Sequence, residues 1–337
     1  MKSRTTVGLA AFAVIMGAAL SASPRADETL RLEWVMQGQF AGPIVAHDKG
    51  YYEEAGVTLE LLPAGPDIKP AVTVAQGSDT FGLGHPNQII AARSNGVPLV
   101  MVMQFGQKSA TTYVARKDSG ISSVSDMPGR SVGLWFGGDE HEFLAMLNAA
   151  GVSQEDVQII SQGFDIIAWL NGEYEVMQVT RFNELLQVYD NGFSPEDLVL
   201  LNPEDYGVAL VSGGLFTTED VINEKPDVVQ GVVEATMRGW RDALADPAAA
   251  AEIVLKYNEE LTLDSQIGQI KAMADLICAG PTLEGAFGKS VLADWETSQN
   301  VIHEAGVIES TIDLEEGFTN RFWDMVPAEY KQVMCSM

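Results

Sequence analysis

Over residues 30–105 short apolar runs with strand character alternate with runs of helical spacing, and the alternation begins again at Ser131. A chain ordered in this way builds parallel sheets covered by helices, since each strand returns to its sheet through a helix packed on one face. Strands are predicted at residues 30–36, 57–62, 80–83 and 99–105. The first intervening helix is expected to open at Gly42-Pro43 and close at Gly56, the second to cover residues 68–76, and the third to run over residues 86–95 up to Gly96. Proline in a first turn and glycine just past a last one are the usual helix punctuation.

After Asp126-Met127-Pro128-Gly129 a second, smaller unit is predicted, with strands at 131–136, 157–161 and 176–180 and helices at 139–150, 165–171 and 183–191. From about Val208 the alternation stops, and helices are expected over 227–244, from Pro247 onward, and toward Trp323. With no sheet of its own, this tail is expected to pack back on the first unit. The chain then crosses between units twice, near residues 113–116 and 206–212, which is the wiring of a two-lobed α/β clamp with the ligand between the lobes. The division expected is 1–26 export signal, 27–114 first part of lobe 1, 115–210 lobe 2, and 211–337 the return to lobe 1.

Lys2 and Arg4 precede the apolar run 7–20, and small residues around Ser21-Ala22-Ser23 and Ala26 follow it, the pattern of a secretory signal. The run is shorter than the about 20 residues that a membrane-spanning helix needs. No cysteine stands at the end of the signal to take a lipid, so the mature chain is expected to be a soluble, unanchored periplasmic protein and a monomer. Forty-seven acidic residues against 20 lysines and arginines give a formal charge of −27, which repels nucleic acid and anionic membranes. Cys278 and Cys335 match no metal or redox spacing. In an oxidising compartment they form one disulfide or remain two inert thiols.

The sequence holds no Walker loop, GxSxG elbow or HExxH, and its four histidines are scattered. No catalytic residue, metal or cofactor is expected. Asp139-Glu140-His141-Glu142 reads as a helix start, with Asp139 and Glu142 as a capping box rather than metal ligands. In open α/β sheets ligands bind beyond the carboxyl ends of the strands, where helix N-termini offer free N–H groups. Four such places carry polar and aromatic residues: 34–42, 84–87, 135–138 and 180–184, two in each lobe. The candidate contacts are Trp34, Gln37 and Phe40; His85 and Asn87; Trp135 and Gly138; and Phe182 and Glu184. Trp169, Trp240, Trp295 and Trp323 are assigned to packing.

The runs Trp34-Val35-Met36-Gln37-Gly38-Gln39-Phe40-Ala41-Gly42 and Asp48-Lys49-Gly50-Tyr51-Tyr52-Glu53-Glu54-Ala55-Gly56 resemble the thiamine-pyrimidine-precursor branch of the periplasmic substrate-binding proteins of ABC importers. Asp126-Met127-Pro128-Gly129-Arg130, Phe182-Asn183-Glu184-Leu185 and Gly239-Trp240 continue the likeness in order. The resemblance implies a type II two-lobed clamp that hands a small ligand to a membrane permease without transforming it. It implies that Trp34 and Glu184 meet a pyrimidine-like ring, with Phe182 where the family has tyrosine; the face for stacking is kept and a hydroxyl is lost. Related clamps bind riboflavin-like rings, sulfonates or nitrate, and fungal pyrimidine synthases share the fold. The Cys-rich motif of those enzymes is absent here, and Gln88 stands where their reactive histidine falls.

Overall fold

The computed structural model describes residues 27–136 and 138–335; the expected signal at 1–26 lies outside them, as does Gly137. Among the described residues the strands are β1 Glu28–Arg31, β2 Leu59–Leu62, β3 Phe81–Gly84, β4 Leu99–Gln104, β5 Thr111–Arg116, β6 Ser131–Leu134, β7 Gln158–Ser161, β8 Val176–Thr180, β9 Leu198–Leu201 and β10 Gly214–Thr218. They form two five-stranded sheets, β2-β1-β3-β10-β4 and β7-β6-β8-β5-β9, each flanked by helices.

Both sheets are mixed, and one rule of direction explains how. β1, β2 and β3 pair in parallel, as do β6, β7 and β8, whereas β10 is antiparallel to β3 and β4, and β5 to β8 and β9. β5 and β10 are the first strands after each crossing between sheets. A strand that begins where its neighbours end must run against them. The sequence reading placed the first crossing at 113–116, but these residues, rich in β-branched and apolar side chains, are the heart of β5; the crossing comes earlier, between Gln104 and Thr111. It also gave the tail after Val208 no strand, whereas β10 inserts into the first sheet between β3 and β4, and it passed over β9.

Local boundaries differ for similar reasons. β1 stops at Arg31, so Glu33 to Gln37 leave the sheet as a loop. The first helix spans Ala41–Asp48 and is cut from a short one at Tyr51–Glu54 by Gly50, which takes φ +72°. The helix Ala41–Asp48 lies against Pro226–Ala245, whose apolar face includes the fully buried Trp240. Their contact is backbone on backbone: a Cβ on Gly239 would fall 2.0 Å from the Gly42 carbonyl oxygen, and one on Gly42 would fall 2.3 Å from the Trp240 ring. Trp169 and Trp295 are likewise core residues. Cys278, just past the helix Leu263–Ile277, is bonded to Cys335, 57 residues on, which resolves the two readings of the cysteines in favour of a disulfide.

The two crossings run side by side. The Gln104 side-chain amide donates to the carbonyls of Gly106, Ser212 and Gly213, and the backbone N–H groups of Phe105 and Gly106 donate to Gly213. A Cβ on Gly106 would sit 1.8 Å from the Ser212 carbonyl oxygen, so only glycine permits the approach. Glu142 fastens the same place from the second lobe: Leu210 N–H donates to its Oε1 at 2.6 Å and the Ser109 hydroxyl to Oε2 at 2.9 Å. The expected capping box at Asp139 and Glu142 is therefore not formed. The helix begins at His141 after Glu140, and Glu142 turns inward because two donors of the crossings wait for it.

Burial pushes the Glu142 carboxyl up to about 8, with the bonds from Leu210 and Ser109 working against the rise; Glu204 adds to it and Arg181 opposes it. Between 4.5 and about 8 the folded chain thus holds a proton that the unfolded chain has released, so this contribution to stability is whole below the unfolded pKa and lost as pH climbs through about 8. Glu142→Gln cannot titrate. Across that window the melting temperature of the parent should fall relative to the variant's, measured by differential scanning calorimetry; parallel curves would contradict a protonated Glu142. At the helix contact, Gly239→Ala should cost about 1–3 kcal/mol of stability in denaturant unfolding, because the two helices have to move apart.

Candidate functional site

Because β1, β3, β6, β7 and β8 all end toward the crossings, the loops that leave them meet in one cleft of about 450 Å³ between the sheets. The structure brings all nine sequence-predicted residues to its lining. Trp34, Gln37 and Phe40 come from the loop and short helical turn after β1, and His85 and Asn87 from the junction of β3 with the helix Pro86–Ser94. Trp135 and Gly138 follow β6, and Phe182 and Glu184 follow β8. Trp323, assigned to packing, donates its indole N–H to the Phe287 carbonyl far from this cleft.

The nine differ in what they present. Phe40, Gln37 and Phe182 are largely buried, so they shape the cleft more than they cover it. Gly138 takes φ +125°, a conformation suited to glycine, and its N–H donates to Glu140 Oε2 at 2.8 Å. Asn87 is 7% exposed and its side-chain carbonyl has no hydrogen-bond partner among the described residues. Glu184 is 6% exposed and already engaged: Thr180 donates its N–H and hydroxyl to Oε2 at 2.9 and 2.6 Å, and the Asn183 amide donates to Oε1 at 2.6 Å. It therefore staples the turn out of β8, with acceptor capacity left on Oε1 alone.

Phe164 was missed. It is 54% exposed, lies beyond the end of β7, and reaches across the cleft to Trp34 with ring centroids 4.9 Å apart and tilted by 40°. Its ring also runs nearly parallel to Trp135, at 6.4 Å and 11°. Trp135 in turn donates its indole N–H to Gly163 at 2.8 Å, so the Phe164 loop and the Trp135 ring are held as one unit. The rule that selected four strand ends, applied to the end of β7, picks out Gly163-Phe164 as well.

The ionisable groups of the lining are mostly acidic. Glu33 lies 3.0 Å from His85 Nε2, and Gly213 N–H donates to His85 Nδ1 at 2.9 Å. Nδ1 can accept only while unprotonated, so this network assigns the Nε2–H tautomer with its proton shared toward Glu33. Burial alone would lower the His85 pKa, but Glu33, backed by Asp139 and Glu142, outweighs it and pushes the imidazole up to about 9. The Gly213 N–H opposes that second proton; His85 gains it only by letting go of the crossing. Water in the cleft reaches Asp139, yet protein crowds its carboxyl closely enough that lost hydration raises its pKa, with His85 pulling the other way and Glu33 adding to the rise. Arg181 is turned away from the lining, toward the Thr111 carbonyl, Asn202 and Glu204. Among the described residues no group of His, Cys, Asp and Glu is arranged to hold a metal ion, and no helix is long and apolar enough to cross a membrane.

Residues 37–250 match the family described as NMT1/THI5 like. The chain is 26% identical to the riboflavin-binding protein of Chloroflexus aurantiacus over 87% of its own length and 85% of that protein's. It is 23% identical to the formylaminopyrimidine-binding protein of Halalkalibacterium halodurans, over 95% and 99% respectively. The relatives also include a 4-amino-5-hydroxymethyl-2-methylpyrimidine phosphate synthase of Legionella pneumophila, 23% identical over 92% and 96%. In three dimensions the chain resembles the periplasmic nitrate-binding protein of Synechocystis PCC 6803, with a TM-score of 0.69 and 13% identity over 92% and 91% of the two chains. The fold is thus that of the type II periplasmic binding proteins, and the chain belongs to the NMT1/THI5-like family.

Proposed function

We propose that this protein is the periplasmic solute-binding component of an ABC importer, which captures a small aromatic N-heterocycle and delivers it to an inner-membrane permease. The observation that carries the reading is the ring-lined cleft between the lobes: Trp34 and Trp135 both lie against Phe164, in a lining that also holds carboxylates, which only accept hydrogen bonds while ionised. A flat ring with N–H donors fits such walls, and the aminopyrimidine precursors of thiamine are rings of that kind. The likeness to a formylaminopyrimidine-binding protein supports the same class. A fused, riboflavin-like ring is the second reading, supported by the 26% identity to a riboflavin-binding protein.

A carrier binds reversibly and leaves its ligand unchanged. The purified protein, mixed in turn with formylaminopyrimidine, 4-amino-5-hydroxymethyl-2-methylpyrimidine and riboflavin, should melt at a higher temperature with one of them, and mass spectrometry should return that compound intact. At a hundredfold excess over Kd the stabilisation is about 2.7 kcal/mol. A new product mass would replace the carrier with an enzyme of the pyrimidine-synthase kind, and no shift with any ring would remove the aromatic reading. Stacking on Trp34 is worth about 0.5–1.5 kcal/mol beyond area burial, so Trp34→Ala should weaken binding about two- to tenfold in isothermal titration. Unchanged affinity would take Trp34 out of the contact set.

A further inference from the structure

Six ionisable side chains of the lining bear on the charge of whatever the cleft holds. Glu33, Asp139, Glu142 and Glu184 are acidic; only Lys69 and His85 are basic. His85 is committed to Glu33, and Arg181, which follows β8 directly, bonds elsewhere. The Asp139 carboxylate makes no hydrogen bond among the described residues, and the carbonyl of the nine-tenths buried Asn87, on the opposite lobe, has no donor either. The cleft thus holds one open acceptor, the Asp139 carboxylate, while the unpartnered Asn87 oxygen is itself buried. Its aromatic walls present π faces, which carry partial negative charge and favour a cation laid against them.

A ligand that fills the cleft displaces water from Asp139. A carboxylate stripped of water either takes up a proton or finds a positive partner. Lys69 and His85 offset part of that charge; a neutral ring supplies N–H donors but adds nothing to the offset, and an anionic ligand makes the imbalance worse.

We infer that the cleft holds its ligand as a cation: an aromatic heterocycle with a positive ring nitrogen, either N-protonated in the bound state or permanently N-alkylated, lying between the aromatic walls with its charge toward Asp139. This rests on the aromatic-ligand reading above and adds the charge state to it. A weakly basic aminopyrimidine meets the requirement by binding as its protonated form, and a quaternary pyridinium or quinolinium meets it outright.

Matched pairs that differ only in charge test it. Isothermal titration of the full mature chain would compare quinoline with 1-methylquinolinium, and 4-amino-2-methylpyrimidine with its N1-methyl cation. The cation of at least one pair should bind about tenfold or more tightly than its neutral partner, and Asp139→Asn should shrink that ratio toward one. Circular dichroism checks that the variant is folded, and Asp139→Glu, which keeps the charge, should retain the preference. With the permanently charged probe, which cannot titrate, affinity should also rise with pH as Asp139 ionises among Glu33, Glu140, Glu142, His85 and Lys69. Tighter binding of the neutral member, or of quinoline-8-sulfonate, overturns the cation while leaving an aromatic ligand in place. Failure of every ring to bind overturns both.

Discussion

The close passage of two chain segments is the constraint on which the rest of the molecule depends. Phe105 and Gly106 lie against Ser212 and Gly213 so tightly that no side chain fits at Gly106, and one buried glutamine amide, from Gln104, holds three carbonyls of the pair. A buried amide bonded in this way is costly to disturb, since the Gly106 and Ser212 carbonyls would lose their donor. The two lobes are thereby joined along a narrow line, and what lies beyond that line on one side becomes the cleft.

Strand direction follows from this joint. The chain enters each lobe beside the other, so the first strand in runs away from the joint, and the parallel strands return toward it. Every parallel strand end is then a loop above the cleft, which is why residues as distant in sequence as Trp34, His85, Trp135 and Glu184 share one cleft. Two of the joint's own N–H groups, those of Leu210 and Gly213, are held by Glu142 of one lobe and His85 of the other, and both of those side chains also line the cleft. The chemistry of the ligand and the mechanics of the joint therefore meet in the same few atoms.

Much of this was legible in the sequence because alternation, Pro and Gly are local signals. The parallel strands and the helices between them appear where the periodicity placed them, give or take a turn, and the strand-end rule found residues that share one cleft. The antiparallel strands were not legible. β5 is not followed by a helix of its own, β10 lies in a stretch that reads as helical, and their partners are β8, β9, β3 and β4, chosen by the path of the chain and not by neighbours in sequence. Glu142 was read as a helix-start acid because its position relative to Asp139 allowed that. The donors that draw it inward, Ser109 and Leu210, lie 33 and 68 residues away. For Glu184 a helix-start location was legible, but its engagement by Thr180 and Asn183 depends on the turn's actual shape.

The touching rings of Trp34 and Phe164 bear on how any ligand enters. In this arrangement the lips of the cleft already rest against each other, and part of their apolar surface is dry before anything arrives. A guest ring that parts them exchanges one aromatic contact for another. The heat-capacity change of association then reports the net apolar area newly hidden, which is smaller than the area of the guest itself. The rate of capture, in turn, is set by how often the two rings separate: a chain whose lips are open for only a fraction of the time has its intrinsic affinity reduced by that fraction.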